Sequence, residues 1–182
     1  MTTKSSATTE IGAEYAEAVA TRSRRAESLA ARIEEGAANL AAFAEKLSEA
    51  EWHTPVSATD HRSVGVIVHH VASMYPIEIE VAQVIAGGNR VSDVTWEVVA
   101  HLNGKHAEDN AQVSKSAALE LLRRNSRQAA AVVRALTDQE LDTAAPFSLS
   151  FGAPMTAQFV IEDHALRHSW HHLAAIRKAL GR

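Results

Sequence analysis

Cysteine is absent from the 182-residue chain. That excludes disulfides, iron–sulfur clusters, thiolate metal ligands and a cysteine nucleophile, and it suits a reducing cytoplasm, the expected location. Any metal site must therefore use nitrogen and oxygen donors. Proline and glycine are scarce, at 4 and 8 residues, and aromatic residues make up only 5%. With alanine frequent, this balance favours helix over strand. Basic charge is also short: 18 Lys and Arg stand against 22 Asp and Glu, for a net charge of −4 with His neutral. No electrostatic footprint for nucleic acid is expected. The densest basic runs, Arg22, Arg24, Arg25 and Arg123, Arg124, Arg127, read as solvated helix faces. Apolar runs stay well below the ~20 residues that a membrane helix needs, so no membrane partner is expected. Met1 to Glu10 is polar, with no apolar stretch of the kind a secretory signal carries.

What is present is helical periodicity. Residues 1–12 read as a disordered start and 13–182 as a single domain. A first helix is expected from about Ala13 to Ala50, with Ile33, Leu40, Phe43 and Leu47 at helical spacing and Gly36 as a weak point. Trp52 to Asp60 reads as a loop. A second helix is expected from Arg62 or Ser63, capped by Asp60 or Ser63. Its apolar stripe is Ile67, Met74, Ile77, Val81, Val84 and Ile85. Pro76 is expected to kink it, and Gly87-Gly88-Asn89 to end it. Residues 89–107 are expected to be irregular, with at most a short helix from Trp96 to His101. A third helix is predicted from about Ser114 or Ser116 to Leu136. Residues 137–151 read as a connector, with a brief extended piece at Ser148–Phe151 and no evident strand partner. A fourth helix is predicted from Met155 to Leu180. Four long amphipathic helices make an all-α four-helix bundle the expected fold.

Ten histidines are the most informative feature. Four fall in the last helix, His164, His168, His171 and His172, and two are adjacent in the second, His69 and His70. At ~100° per residue, with Leu173 at the centre of the apolar stripe, His172 lies ~100° away and His168 ~140° away, on the same flank. His164 and His171 fall near the opposite pole. In the second helix His70 shares the line of Ile67, Met74, Ile77 and Val81, whereas His69 is turned outward. Two imidazoles at i and i+4 can reach one metal ion, and a third from a facing helix completes a three-nitrogen set with open positions. The HSWHH spacing lacks the glutamate of HExxH, so a zinc-peptidase reading has little support. A histidine on an apolar face is more often a hydrogen-bonded rim residue, so spacing alone leaves both roles open. His164 is also an alternative to His172 as the partner of His168. His53, His61, His101 and His106 read as surface or capping residues. Glu78, Glu162 and Asp163 lie near the same helices and read as solvated carboxylates, any of which is placed to orient a ligand imidazole.

Several segments together resemble the DinB-like (YfiT-like) family. They are Trp52-His53-Thr54-Pro55, the run Ser63 to Ala72 containing His69-His70, the stretch from Asn110 through Ser114 to Leu122, Ala135 to Leu141, and His168-Ser169-Trp170-His171-His172-Leu173-Ala174-Ala175-Ile176. The last is similar to the family's H-x3-H-L-x-x-I ending. One departure is Asp60-His61-Arg62-Ser63, where the family often carries an aromatic residue before the serine. The resemblance implies a four-helix bundle with a divalent metal on His70, His168 and His172. Zinc is the default and nickel the second candidate. It also implies a transferase or isomerase that activates a low-molecular-weight thiol of the mycothiol type, or water, toward a small-molecule substrate. The alternative is a non-catalytic metal-binding or stress-related module. A homodimer is expected on general grounds for helical bundles.

Overall fold

The computed structural model describes residues 23–182. The expected boundary between a disordered start and the domain lies outside the described residues, as does the expected first-helix start at Ala13. Four long helices form the bundle: α1 (Arg24–Glu45), α3 (Val64–Ala86), α5 (Lys115–Arg134) and α8 (Arg167–Ala179). α5 packs against α1 and α3 on one side, and α8 packs against the same two helices on the other. Between them lie the short α2 (Glu49–Trp52), the longer α4 (Trp96–Asp109), which buries none of its residues, and the short α6 (Asp138–Asp142) and α7 (Ala157–Val160). Among the described residues no helix is long and apolar enough to cross a membrane.

Serine and threonine start these helices. The side chains of Ser23, Ser48, Ser63, Thr95, Ser114, Thr137 and Thr156 each accept a hydrogen bond from a backbone N–H of the first turn. Ser63, rather than Asp60, caps α3. α1 ends at Glu45 because Ser48 and Glu51 form a capping box that begins α2. Thr137 and Glu140 form a second box, so the expected connector contains α6. Gly36 does not break α1. It lies under α8, where an added Cβ would sit 2.7 Å from Trp170 Nε1 and 3.3 Å from Ser169 Cβ. Glycine is therefore required by close helix approach. Trp170, expected on the apolar stripe, is 40% exposed, and the buried line of α8 is Ser169, Leu173 and Ile176.

The connector also holds a small hairpin that the sequence did not indicate. β1 (Ala144–Pro146) pairs antiparallel with β2 (Pro154–Thr156). The segment expected to be extended, Ser148–Phe151, instead holds a 3-10 turn, Ser148–Ser150, that links the strands. Val91 N donates to Pro146 O at 3.0 Å and Ser148 N to Val91 O at 2.9 Å. These bonds tie the loop after α3 to the hairpin. Met155 therefore lies in β2, and helix begins only after Thr156.

Pro76 sits inside α3 without ending it. Its missing N–H leaves the Ala72 carbonyl without a helical donor. Asn125, buried on α5, supplies one: its Nδ2 donates to Ala72 O at 2.9 Å. Replacing Asn125 with Leu should therefore cost about 1–3 kcal/mol, because a buried carbonyl is left unpaired. In a Pro76→Ala background, where the backbone supplies its own donor, the same substitution should cost much less. Denaturant titration of the four proteins measures this coupling, and purely additive costs would refute it.

Candidate metal centre

α3 and α8 run side by side, and their contact builds the site. Tyr75 and Ser169 are fully buried, and their hydroxyls meet at 2.5 Å across the two helices. This bond fixes the register one residue from His168 and about one turn from His70. The rings of His70 and His168 then lie 5.0 Å apart, those of His70 and His172 5.6 Å, and those of His168 and His172 4.8 Å. One ring nitrogen from each of the three falls within 4.8 Å of the others. So the structure brings together the three histidines expected as the ligand set, with His172 and not His164 beside His168.

Burial governs the charge of these rings. His70 is lowered to about 2, first by burial and then by the neighbouring His168 and His172. His172 is lowered to about 3, again by burial first and then by His168 and His171. Both are therefore neutral at pH 7, the form that coordinates metal. The consequence for the metal-free protein has a definite sign. Unfolded histidine takes up a proton near pH 6.5 and the folded rings do not, so the unfolded state binds more protons below that value. Stability should fall as the pH drops from about 6.5 toward 3, by up to about 1.4 kcal/mol per pH unit for each of the two groups. Thermal unfolding of chelator-treated protein between pH 7.5 and 4.5 measures this, and a shallower profile in His70→Phe/His172→Phe, with the remaining slope left to His69, His106 and His164, would assign it.

Glu78 corrects the sequence reading. It is not a solvated carboxylate but is buried, on the line Val71, Tyr75, Glu78, Ala82 of α3. Its Oε1 stands 2.7 Å from His168 Nδ1. The ring N–H is not aligned on that oxygen, and both His168 Nδ1 and Glu78 Oε2 lack a hydrogen-bond partner among the described residues. The 2.7 Å separation is that of a charge-assisted hydrogen bond, and a small rotation of the imidazole aligns the pair. With Nδ1 turned toward the carboxylate, His168 offers Nε2 outward, the arrangement in which a carboxylate orients a metal-binding imidazole. The donor set therefore fits a divalent cation. Three imidazoles favour Zn, Ni, Cu, Co or Fe over Mg and Ca.

The other histidines divide. His53, His61, His101 and His171 are exposed, as expected. His106 is half-buried rather than exposed. α4 extends beyond the predicted short helix to Asp109, and this brings His106 Nε2 to 2.9 Å from His69 Nδ1, with the rings stacked at 5.0 Å. Burial lowers both from the usual histidine value. His164 is half-buried, edge-on to Phe147 at 5.6 Å. The wheel put it at the exposed pole because it assumed a regular α-helix. Ile161–Leu166 is a π-helical turn, which holds one extra residue and shifts the register by about 100°. Glu162 accepts from Gln158 at 3.3 Å, and Asp163 pairs with Arg167 at 3.1 Å.

Beside the triad lies a cavity of about 270 Å³. Its walls include Met74, Ile77 and Val81 of α3, Trp96 and Val99 of α4, and Phe147 of the hairpin. The stripe that continues from His70 was expected to be core. Ile77 is instead 48% exposed, because this face of α3 lines the cavity. α3 is apolar around most of its circumference, so periodicity could not separate a core face from a cavity wall.

A bundle carrying inward-facing histidines at the contact of two helices defines the class: a helical protein with a three-histidine cluster at the head of an apolar pocket. Residues 32–176 match the model of the DinB superfamily. The chain belongs to that superfamily. It is similar to a solved structure described as "YfiT from Bacillus subtilis is a probable metal-dependent hydrolase with an unusual four-helix bundle topology", with a TM-score of 0.69 and 21% identity over 86% of this chain and 87% of that one. At that identity the likeness concerns the fold. No curated protein matches the chain.

Proposed function

We propose that the protein is a metal-dependent enzyme in which His70, His168 and His172 hold one divalent cation, zinc by default, that activates a nucleophile. The convergence of three ring nitrogens within 4.8 Å of one another carries this reading. Bound there, the cation would bring the pKa of a coordinated water or thiol toward neutrality and polarise a substrate oxygen. The protein's own groups do the rest. Burial keeps His70 and His172 in the neutral, ligating form. Glu78 orients His168, and the apolar walls exclude competing water from the substrate.

Water is the nucleophile the geometry favours. Apart from the histidines and Glu78, the polar side chains of the walls are Asn103, Asp163 and Arg167, and the last two bond each other; a sugar-bearing thiol of the mycothiol type would need further partners for its hydroxyls. The B. subtilis neighbour, described as a probable metal-dependent hydrolase, supports hydrolysis by analogy of fold. Thiol transfer remains the second arm of the test. It is favoured by the exposed His171 and Arg167 at the cavity's edge, which leave that side open to a larger cofactor.

Cobalt-substituted protein tests the reading. Its visible spectrum should change on adding azide, which needs an open coordination position. A new near-ultraviolet charge-transfer band on adding mycothiol would assign the thiol. A cobalt spectrum indifferent to both would identify a closed, non-catalytic metal module.

A further inference from the structure

The cavity beside the triad is selective by size, polarity and charge. An engineered cavity of about 150 Å³ lined by apolar side chains accommodates benzene. A space of about 270 Å³ therefore suits a body of about ten non-hydrogen atoms. Most of its lining is apolar. Phe147 and Trp96 supply aromatic surface from two different elements, and the edge-on pair of Phe147 and His164 shows the local preference for ring contacts.

In the metal-free protein the charged side chains of the walls offer an anion little attraction. Arg167 is the lining cation, and its Nε is held by Asp163, at 3.1 Å from Oδ1 and 3.0 Å from the backbone oxygen. That pair is close to neutral as a unit. Glu78 adds a carboxylate behind His168. A carboxylate or phosphate group on the ligand body would thus face no free cation along the walls.

We infer that the cavity takes uncharged acyl compounds with an aromatic body, esters or amides of about ten non-hydrogen atoms, with the acyl group directed to the histidine triad. The direction of the acyl group rests on the proposed metal-dependent reading. The selectivity for an uncharged aromatic body rests on the walls alone.

The two parts are separable by experiment. Binding of benzamide, benzoate, cyclohexanecarboxamide and acetamide to the metal-free protein is followed by ligand-observed NMR. Benzamide should bind at least about tenfold more tightly than its charged isostere benzoate and than acetamide, and more tightly than the saturated amide. Ile77→Asp, at a position 48% exposed and so tolerant of charge, should weaken benzamide binding about tenfold without changing the melting temperature of the metal-free protein. Trp96→Ala, on a helix with no buried residue, should also weaken it. Equal binding of benzamide and benzoate, or of benzamide and acetamide, would overturn the inference. So would benzamide binding unchanged in Ile77→Asp and Trp96→Ala together, since the ligand would then lie elsewhere. Failure of zinc to bind the triad would overturn the proposed function and leave the selectivity of the cavity standing.

Discussion

His168→Ala/His172→Ala should abolish stoichiometric metal binding. Wild-type protein, produced without a histidine tag and incubated with zinc, should retain about one equivalent after gel filtration, and the double variant none. Removing two of three ligands leaves a single buried imidazole, His70, which does not hold an ion on its own. The effect on stability should also be large. A ligand present at 100 to 1,000 times its dissociation constant stabilises the folded state by about 2.7 to 4.1 kcal/mol. Wild type should therefore melt at a clearly higher temperature with zinc than with chelator, while the double variant should show no difference. His171→Ala is the control: it neighbours His172, with ring centroids 5.1 Å apart, yet is exposed and outside the cluster. Its metal content should match wild type. Zinc retained by the double variant would move the site elsewhere among the ten histidines, with the half-buried His69 and His106 pair the first place to look.

Glu78→Gln should weaken zinc binding by about 10- to 100-fold while changing the metal-free protein's stability by less than about 1 kcal/mol. Carboxylates behind metal-binding histidines have effects of this size on affinity, because they set the tautomer and raise the basicity of the ring. Glutamine keeps the shape and one acceptor oxygen for His168 Nδ1, so the metal-free fold is largely spared. What it removes is the negative charge 2.7 Å from that ring. Glu78→Ala should do more, costing about 1–3 kcal/mol in the metal-free protein as well, because it leaves a cavity and removes the carboxylate that stands 2.7 Å from the buried Nδ1. Chelator-competition titrations together with melts of the metal-free proteins separate the two contributions. Wild-type affinity in Glu78→Gln would reduce Glu78 to a packing residue.

Much of the site was legible because helical geometry is local. The angular relation of His168 to His172, one turn apart on a flank of α8, follows from about 100° per residue with no knowledge of any other helix. His70 was distinguishable from His69 for the same reason. The all-α fold followed from the scarcity of glycine and proline and from four long stretches with apolar residues at helical spacing. The resemblance to the DinB-like family then joined α3 to α8 as neighbours, which no periodicity could do.

Where the reading failed, interactions distant in sequence decided the outcome. Glu78 looked like a surface carboxylate because it lies 90 positions from His168, the imidazole it stands beside. His106 was assigned to the surface because its partner His69 lies on another helix. His164 was misplaced because a π turn is an accommodation to packing, not a local propensity. Gly36 read as a weakness since the indole of Trp170 that fills its place comes from the far end of the chain. Pro76 could be recognised as the loss of a hydrogen-bond donor, but not that Asn125 restores one. The sequence by itself determined the four long helices and which histidines share a face, because those properties are set within a few residues along the chain. Only the tertiary structure decided that three of the histidines meet, that a carboxylate is buried behind one of them and that the apolar face beside them lines a cavity, because each of these depends on which helices the packing makes neighbours.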